Sequence, residues 1–79
     1  MSAAQKIHFE EQSTECPFNE REIEVIKWAA EGKTAGETGL IMGISQDIVR
    51  TITQRAGYKI NAYNKVNLVA KSLRNGWIA

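Results

Sequence analysis

Gly32-Lys33-Thr34-Ala35-Gly36-Glu37-Thr38-Gly39-Leu40-Ile41-Met42-Gly43-Ile44-Ser45, followed by Gln46-Asp47-Ile48-Val49-Arg50-Thr51-Ile52-Thr53-Gln54-Arg55-Ala56-Gly57-Tyr58-Lys59-Ile60, decides the fold of this chain. It reads as two helices joined by the tight turn Met42-Gly43-Ile44-Ser45. Thr34 can cap the shorter helix, expected over 35–42, with Leu40 and Ile41 facing inward. Ser45 can cap the longer one, expected over 46–60, where Val49, Ile52, Ala56 and Ile60 recur at spacings of three and four. Gly36 and Gly39 each weaken the shorter helix by roughly 1 kcal/mol relative to Ala, so that helix must persist by packing. A glycine there also lets a neighbouring helix approach closely. A glycine-anchored turn between an apolar-patterned helix and a longer basic one is how a helix-turn-helix offers its second helix to the DNA major groove.

Working outward, Asn19 can cap an earlier helix over 20–31, with Glu22 three residues on to complete a capping box. Phe18 and Ile23 are placed as a hydrophobic staple across that cap, and Glu31-Gly32 supplies the stop. Before it, residues 1–17 show no sustained period and read as an arm, with Ile7 and Phe9 expected to tuck onto the core. Pro17 restricts Cys16 to extended geometry, so the domain proper is expected over 18–79. On the far side, Asn64 can cap a fourth helix over 65–75, with Val66, Val69, Ala70 and Leu73 as its apolar stripe and Gly76 as its stop. Trp77 and Ile78 either fold back as a plug or offer an apolar surface to a partner. No β-type alternation competes, so the expected fold is all-α, with four helices.

Seventy-nine residues suffice for one domain, and one this short buries only about 60% of its unfolded surface. The 43% hydrophobic and 24% charged content suits a soluble globular domain, and no apolar run is long enough to span a bilayer. The N-terminus lacks the plan of a signal peptide, so a cytoplasmic location is expected. The single cysteine, Cys16, cannot form an internal disulfide, and no Cys/His cluster supports a metal site. His8 stands without a carboxylate or nucleophile at useful spacing, and Gly32-Lys33-Thr34 lacks the preceding glycine of a phosphate loop. No enzyme, cofactor or metal is therefore expected. The net charge of +1 conceals a polarity: residues 1–31 carry seven acids and three bases, residues 32–79 two acids and seven bases. Such a domain can face a polyanion with one side only.

Phe18-Asn19-Glu20-Arg21-Glu22-Ile23-Glu24-Val25-Ile26-Lys27-Trp28, then Glu31-Gly32-Lys33-Thr34, Glu37, Gly43-Ile44-Ser45, Val49, Lys59-Ile60 and Gly76-Trp77-Ile78 together resemble the LuxR-type helix-turn-helix. The likeness covers residues 18–78 and is greatest to the C-terminal DNA-binding domain of quorum-sensing regulators. It implies a four-helix domain that binds duplex DNA as a homodimer, with the third helix in the major groove and the fourth at the dimer interface. By position it implies base-facing roles for Arg50, Thr51 and Gln54, and phosphate-facing roles for Lys33, Gln46, Lys59 and Lys65. It makes Asn67, Val69, Ala70 and Leu73 the expected dimer surface. The chain departs from the family at Ile48, where Thr is usual, and at Ile52, where His is usual. It departs again at Glu37-Thr38-Gly39, where Glu-Ile-Ala is usual, and at Thr53, Ala56 and Gly57, where bulk is expected. The N-terminal sensor domain of full-length regulators is not in this sequence, and a stand-alone regulator is the expectation.

The side-chain chemistry agrees with those roles. Arg50 offers a planar fork matched to guanine O6 and N7, and Gln54 can address adenine N6 and N7. Thr51 can touch a thymine methyl. Lys33, Arg55, Lys59 and Lys65 can neutralise phosphates, which together corresponds to a salt slope near −3.6 at roughly −0.9 per contact. Ile48 adds no phosphate contact and either meets a protein or lies partly buried. Two functions follow: a small dimeric transcription regulator, or an antagonist that pairs with a full-length LuxR-type regulator through its fourth helix without reading specific DNA.

Overall fold

A computed structural model describes residues 15–79, and among them the chain forms four helices and no strand. These are α1 (Glu20–Ala30), α2 (Ala35–Met42), α3 (Gln46–Lys59) and α4 (Lys65–Arg74). The expected insertion of Ile7 and Phe9 lies outside the described residues, as does His8.

Each helix begins at the cap the sequence supplies. Asn19 Oδ1 accepts from the Glu22 N–H at 2.8 Å, and Glu22 Oε1 accepts from the Asn19 N–H at 3.0 Å, closing a reciprocal box. Thr34 and Glu37 repeat the arrangement at the start of α2, at 3.0 and 2.8 Å. Ser45 Oγ accepts from the Ile48 N–H, and Asn64 Oδ1 from the Asn67 N–H. Such caps satisfy donors that have no partner inside the helix and contribute about 1 kcal/mol apiece. The Thr34 backbone N–H holds the Glu37 carboxyl below its ordinary 4.5, aided by the Thr34 side chain and the Lys33 charge and opposed by partial desolvation.

The core is small and drawn from every helix but α2. Phe18, Ile26, Ala56, Leu68 and Ile78 form one buried cluster, with Ile23, Ile60, Ala62, Val69 and Trp77 packed around it. Phe18 and Ile23, on either side of the first cap, thus join the same cluster, as a staple requires. The C-terminus closes the structure as a plug: Trp77 meets Phe18 edge-to-face at 5.4 Å, and Ile78 is buried. The indole N–H of Trp77 finds no acceptor among the described residues.

Helix α2 differs from expectation. Leu40, expected inside, is 86% exposed, and Ile41 is exposed as well, while Thr38 and Gly39 are buried. The cause is the closeness of α2 to the turn that follows. A Cβ on Gly39 would stand 2.6 Å from the Ile44 carbonyl oxygen, so only a residue without a side chain lets the helix lie there. With Gly39 and Thr38 inward, the following residues are turned to solvent by the helical rotation of about 100° per residue. Gly43 then reverses the chain at φ 73°, a left-handed conformation that glycine adopts without penalty, and the Ile44 N–H returns to the Gly39 carbonyl at 2.9 Å.

Helix α4 divides the residues that spacing alone grouped together. Leu68 and Ser72 face the core, and the Ser72 hydroxyl is satisfied by the Leu68 carbonyl at 2.7 Å. Val66 and Leu73, members of the apolar stripe read from spacing, point outward, with Val66 77% exposed. Both stripes have helical spacing, and only the position of α1 and α3 selects between them. Among the described residues no helix is long and apolar enough to cross a membrane.

Gly36 and Gly39 should therefore respond oppositely. Gly36→Ala places its methyl in ordinary contact with Gln46 and is expected to stabilise the fold by about 0.5–1 kcal/mol in a urea titration. Gly39→Val is expected to destabilise it by about 2 kcal/mol or more, because its branched side chain meets backbone that cannot rotate away.

The Glu37 box carries a pH signature. A carboxyl whose pKa falls on folding favours the folded state above its ordinary 4.5 and loses that contribution as pH drops through its lowered value. Melting followed by circular dichroism should show the midpoint falling with acidification below that pH, and Glu37→Gln should flatten this part of the profile.

Candidate nucleic-acid interface

Helix α3 is amphipathic about an axis fixed by Val49 and Ala56, both buried, with Ile52, Thr53 and Ile60 half-buried beside them. The Thr53 hydroxyl is used internally, donating to the Val49 carbonyl at 2.9 Å. The opposite side of the rod carries Arg50, Thr51, Gln54 and Arg55, all exposed, with Gln46 exposed at its start. The structure thus gathers the three expected base-facing side chains onto one solvent-facing strip, unobstructed by α1, α2 or α4. Gln54 and Arg50 are not idle there. Gln54 Nε2 donates to the Tyr58 hydroxyl at 3.2 Å, and Arg50 Nη1 lies 3.7 Å from Asp47 Oδ1. Both contacts are exposed and weak, so both heads can be released to a ligand at small cost.

The expected phosphate-facing cations divide into two groups. Lys65 Nζ donates to the Lys33 carbonyl at 3.3 Å, which brings residues from the α1–α2 connection and the start of α4 to one place. Arg55 is exposed on α3 with no partner among the described residues. Lys59 is different. Its ammonium donates to Glu22 Oε1 at 2.7 Å and to the Pro17 carbonyl at 3.3 Å, tying the end of α3 to the start of α1. Because Glu22 is buried and also serves the α1 cap, withdrawing Lys59 would leave a carboxylate short of its counter-charge. The structure commits Lys59 to the fold.

Ile48 is 44% exposed on α3, neither in the core nor in the polar strip. The expected dimer residues also separate. Ala70 and Leu73 lie on the outward side of α4, and Val69 is half-buried against the core cluster. Asn67 is taken up locally, its side chain accepting the Tyr63 N–H at 3.0 Å. Three residues outside the expected set lie beside its members. Tyr58 is betrayed in the sequence only by its spacing of four from Gln54. Asp47 has the spacings of four and seven to Thr51 and Gln54 that put it on their strip. Val66 joins Ala70 and Leu73 at spacings of four and seven, a pattern equally consistent with a core face.

Comparison with known proteins agrees with this architecture. Residues 17–72 match the family described as bacterial regulatory proteins, luxR family. Over 66 residues the chain is 39% identical to the transcriptional activator protein PhzR of Pseudomonas fluorescens, covering 84% of this chain and 27% of PhzR. It is 38% identical over 64 residues to the regulatory protein SdiA of Escherichia coli, covering 81% of this chain and 27% of SdiA. With the HTH-type quorum sensing-dependent transcriptional regulator RpaR of Rhodopseudomonas palustris it shares 41% identity over 58 residues, 73% of this chain and 24% of RpaR. The chain thus spans about a quarter of the length of these relatives. No solved structure matches. On the strength of the family match, which takes in all of α1, α2 and α3 and most of α4, the chain belongs to the luxR family of bacterial regulatory proteins.

Proposed function

We propose that this chain is a cytoplasmic transcription regulator that binds duplex DNA as a homodimer, with α3 in the major groove. The observation that carries the reading is the open strip of Arg50, Thr51 and Gln54 on the side of α3 away from its buried Val49–Ala56 seam. A helix of this diameter fits the major groove, and side chains at spacings of three and four from one another reach adjacent base pairs. Arg50 reads guanine, Gln54 reads adenine and Thr51 meets a thymine methyl. Gln46, Arg55 and the Lys33–Lys65 pair contact phosphates and set the register.

Dimerisation is assigned to the outward side of α4. Val66, Ala70 and Leu73 lie there at helical spacing, with Val69 on the flank, and an exposed apolar strip of this kind is self-complementary about a two-fold axis. A 79-residue chain gains stability from such pairing, and two α3 rods would then address half-sites about one helical turn apart.

The exposed Ile48 favours a second reading, because an aliphatic side chain where family members carry a hydroxyl weakens a phosphate contact. In that reading the α4 strip pairs with a full-length LuxR-type regulator and the mixed dimer is inactive. The strip of Arg50, Thr51 and Gln54 has no use in an antagonist, which is why DNA binding is preferred.

Fluorescence titration of the purified chain against random duplex at low salt decides between them. Binding is expected, with a salt slope near −2.7 per protomer from Arg55, Lys33 and Lys65 at roughly −0.9 each. Arg50→Ala should weaken a selected site by about 10-fold or more and nonspecific duplex far less. Absence of affinity for any duplex, together with association with a full-length family member, would establish the antagonist instead.

Val66→Glu tests the α4 strip. The substitution leaves the core untouched, so the circular dichroism spectrum should be retained. Sedimentation should show a monomer at concentrations where the parent chain is a dimer, and affinity for a two-half-site duplex should fall by about 100-fold as the second half-site is lost.

A further inference from the structure

Asp47 is out of keeping with a surface that meets a polyanion. It is the one acid on α3, and its side chain is 93% exposed. With about 100° of rotation per residue, it lies within about 20° of Gln54, about 40° of Thr51 and about 60° of Arg50 around the rod. The carboxylate therefore stands among the three side chains assigned to bases, at the helix end that enters the groove most deeply. The helix start does not require it for capping, since Ser45 Oγ already accepts from the Ile48 N–H. Among the described residues its one partner is Arg50, at 3.7 Å.

A carboxylate can only accept hydrogen bonds, and the major groove presents two donors, cytosine N4 and adenine N6. Adenine N6 adjoins N7, an acceptor whose lone pair would oppose the second carboxylate oxygen. Cytosine N4 adjoins a C–H on its own base and, across the pair, guanine O6, which is a target of Arg50. The Asp47–Arg50 pair thus sets an acceptor beside a fork of donors, complementary to the donor and two acceptors along the edge of a guanine–cytosine pair.

We propose that Asp47 is a specificity-determining residue that accepts a hydrogen bond from the N4 amino group of a cytosine beside the guanine read by Arg50. The inference rests on the DNA-binding reading above. It also gives the acid a second effect: repulsion from phosphates lowers affinity for sequences that lack the matching amino group, which widens discrimination from the unfavourable side.

The test uses the full chain and its Asp47→Ala variant. A preferred duplex is selected from a random library with the parent chain, then rebuilt with 2-pyrimidinone, which lacks the N4 amino group, at each cytosine in turn. At one cytosine next to or paired with the Arg50-dependent guanine, the parent chain should lose about tenfold in affinity, and Asp47→Ala less than about twofold. Asp47→Ala should also bind random duplex more tightly than the parent. If the carboxylate serves only the helix dipole, Asp47→Ala lowers stability and changes affinity equally for every sequence, and the proposal is overturned. Sequence-selective binding with no amino-dependent cytosine overturns it alone, whereas failure to bind any duplex removes the DNA-binding reading and this inference together.

Discussion

The approach of Gly39 to the Ile44 carbonyl sets the geometry on which the functional surface depends. Helix α2 can lie against the turn only because nothing projects from Gly39, and the left-handed Gly43 then turns the chain into α3 at a fixed angle. Once that angle is set, Val49 and Ala56 are the α3 residues that meet α1 and the core, and Arg50, Thr51 and Gln54 face solvent by helical rotation alone. A side chain at Gly39 would push α2 away from the turn and swing the rod with it. The direction of the exposed strip is thereby fixed by backbone contact at one point.

A second restraint acts at the other end of the same rod. Lys59 joins the last turn of α3 to Glu22, and Glu22 is also the acceptor that closes the α1 cap. One carboxylate oxygen thus links the entry of the first helix to the exit of the third. Such a half-buried pair contributes little net stability but makes its loss costly, since Glu22 without Lys59 is a buried carboxylate short of its counter-charge. Held by glycine contact at one end and by this pair at the other, α3 is a rigid element of the sort that a precise recognition surface requires. Spending Lys59 in this way lowers the number of free cations on a chain whose net charge is only +1. Binding would then depend more on base contacts and on pairing of two chains than on bulk electrostatics.

The caps and the turn made most of the fold legible in the sequence. Asn19–Glu22, Thr34–Glu37, Ser45 and Asn64 each announce a helix start through a local hydrogen bond that forms whatever the tertiary context, and all four are formed. The outward strip of α3 was legible for the same reason, because Val49 and Ala56 define a single buried seam. Orientation of α2 and α4 was not. In α4 two stripes compete, Leu68–Ser72 and Val66–Ala70–Leu73, and the more apolar of them faces solvent. Hydrophobic spacing finds a face but does not say whether the protein itself or another molecule covers it. In α2 the glycines were legible as weak helix formers, yet their consequence, two aliphatic side chains left outside, follows only from a long-range contact. The partner of Lys59 was not legible either: a lysine near the end of a helix looks alike in sequence whether it stands free or pairs with a carboxylate 37 residues away.

The size of the core also bears on what the outward side of α4 does. Its core cluster comprises a handful of side chains closed by Trp77 and Ile78, and the Trp77 indole N–H is left without an acceptor inside it. A fold of this size has little stability in reserve. The exposed Val66 and Leu73, with the half-buried Ala70 between them, are therefore a liability in a monomer and an asset in a dimer, because covering them removes apolar surface from water at about 25 cal/mol per Å². Pairing would couple stability to function through mass action, so that the chain gains its most stable form and its two-rod reading geometry in the same step. Stability and DNA recognition would then rise together with concentration, and a substitution on the α4 strip would be felt at the groove although no residue there touches a base.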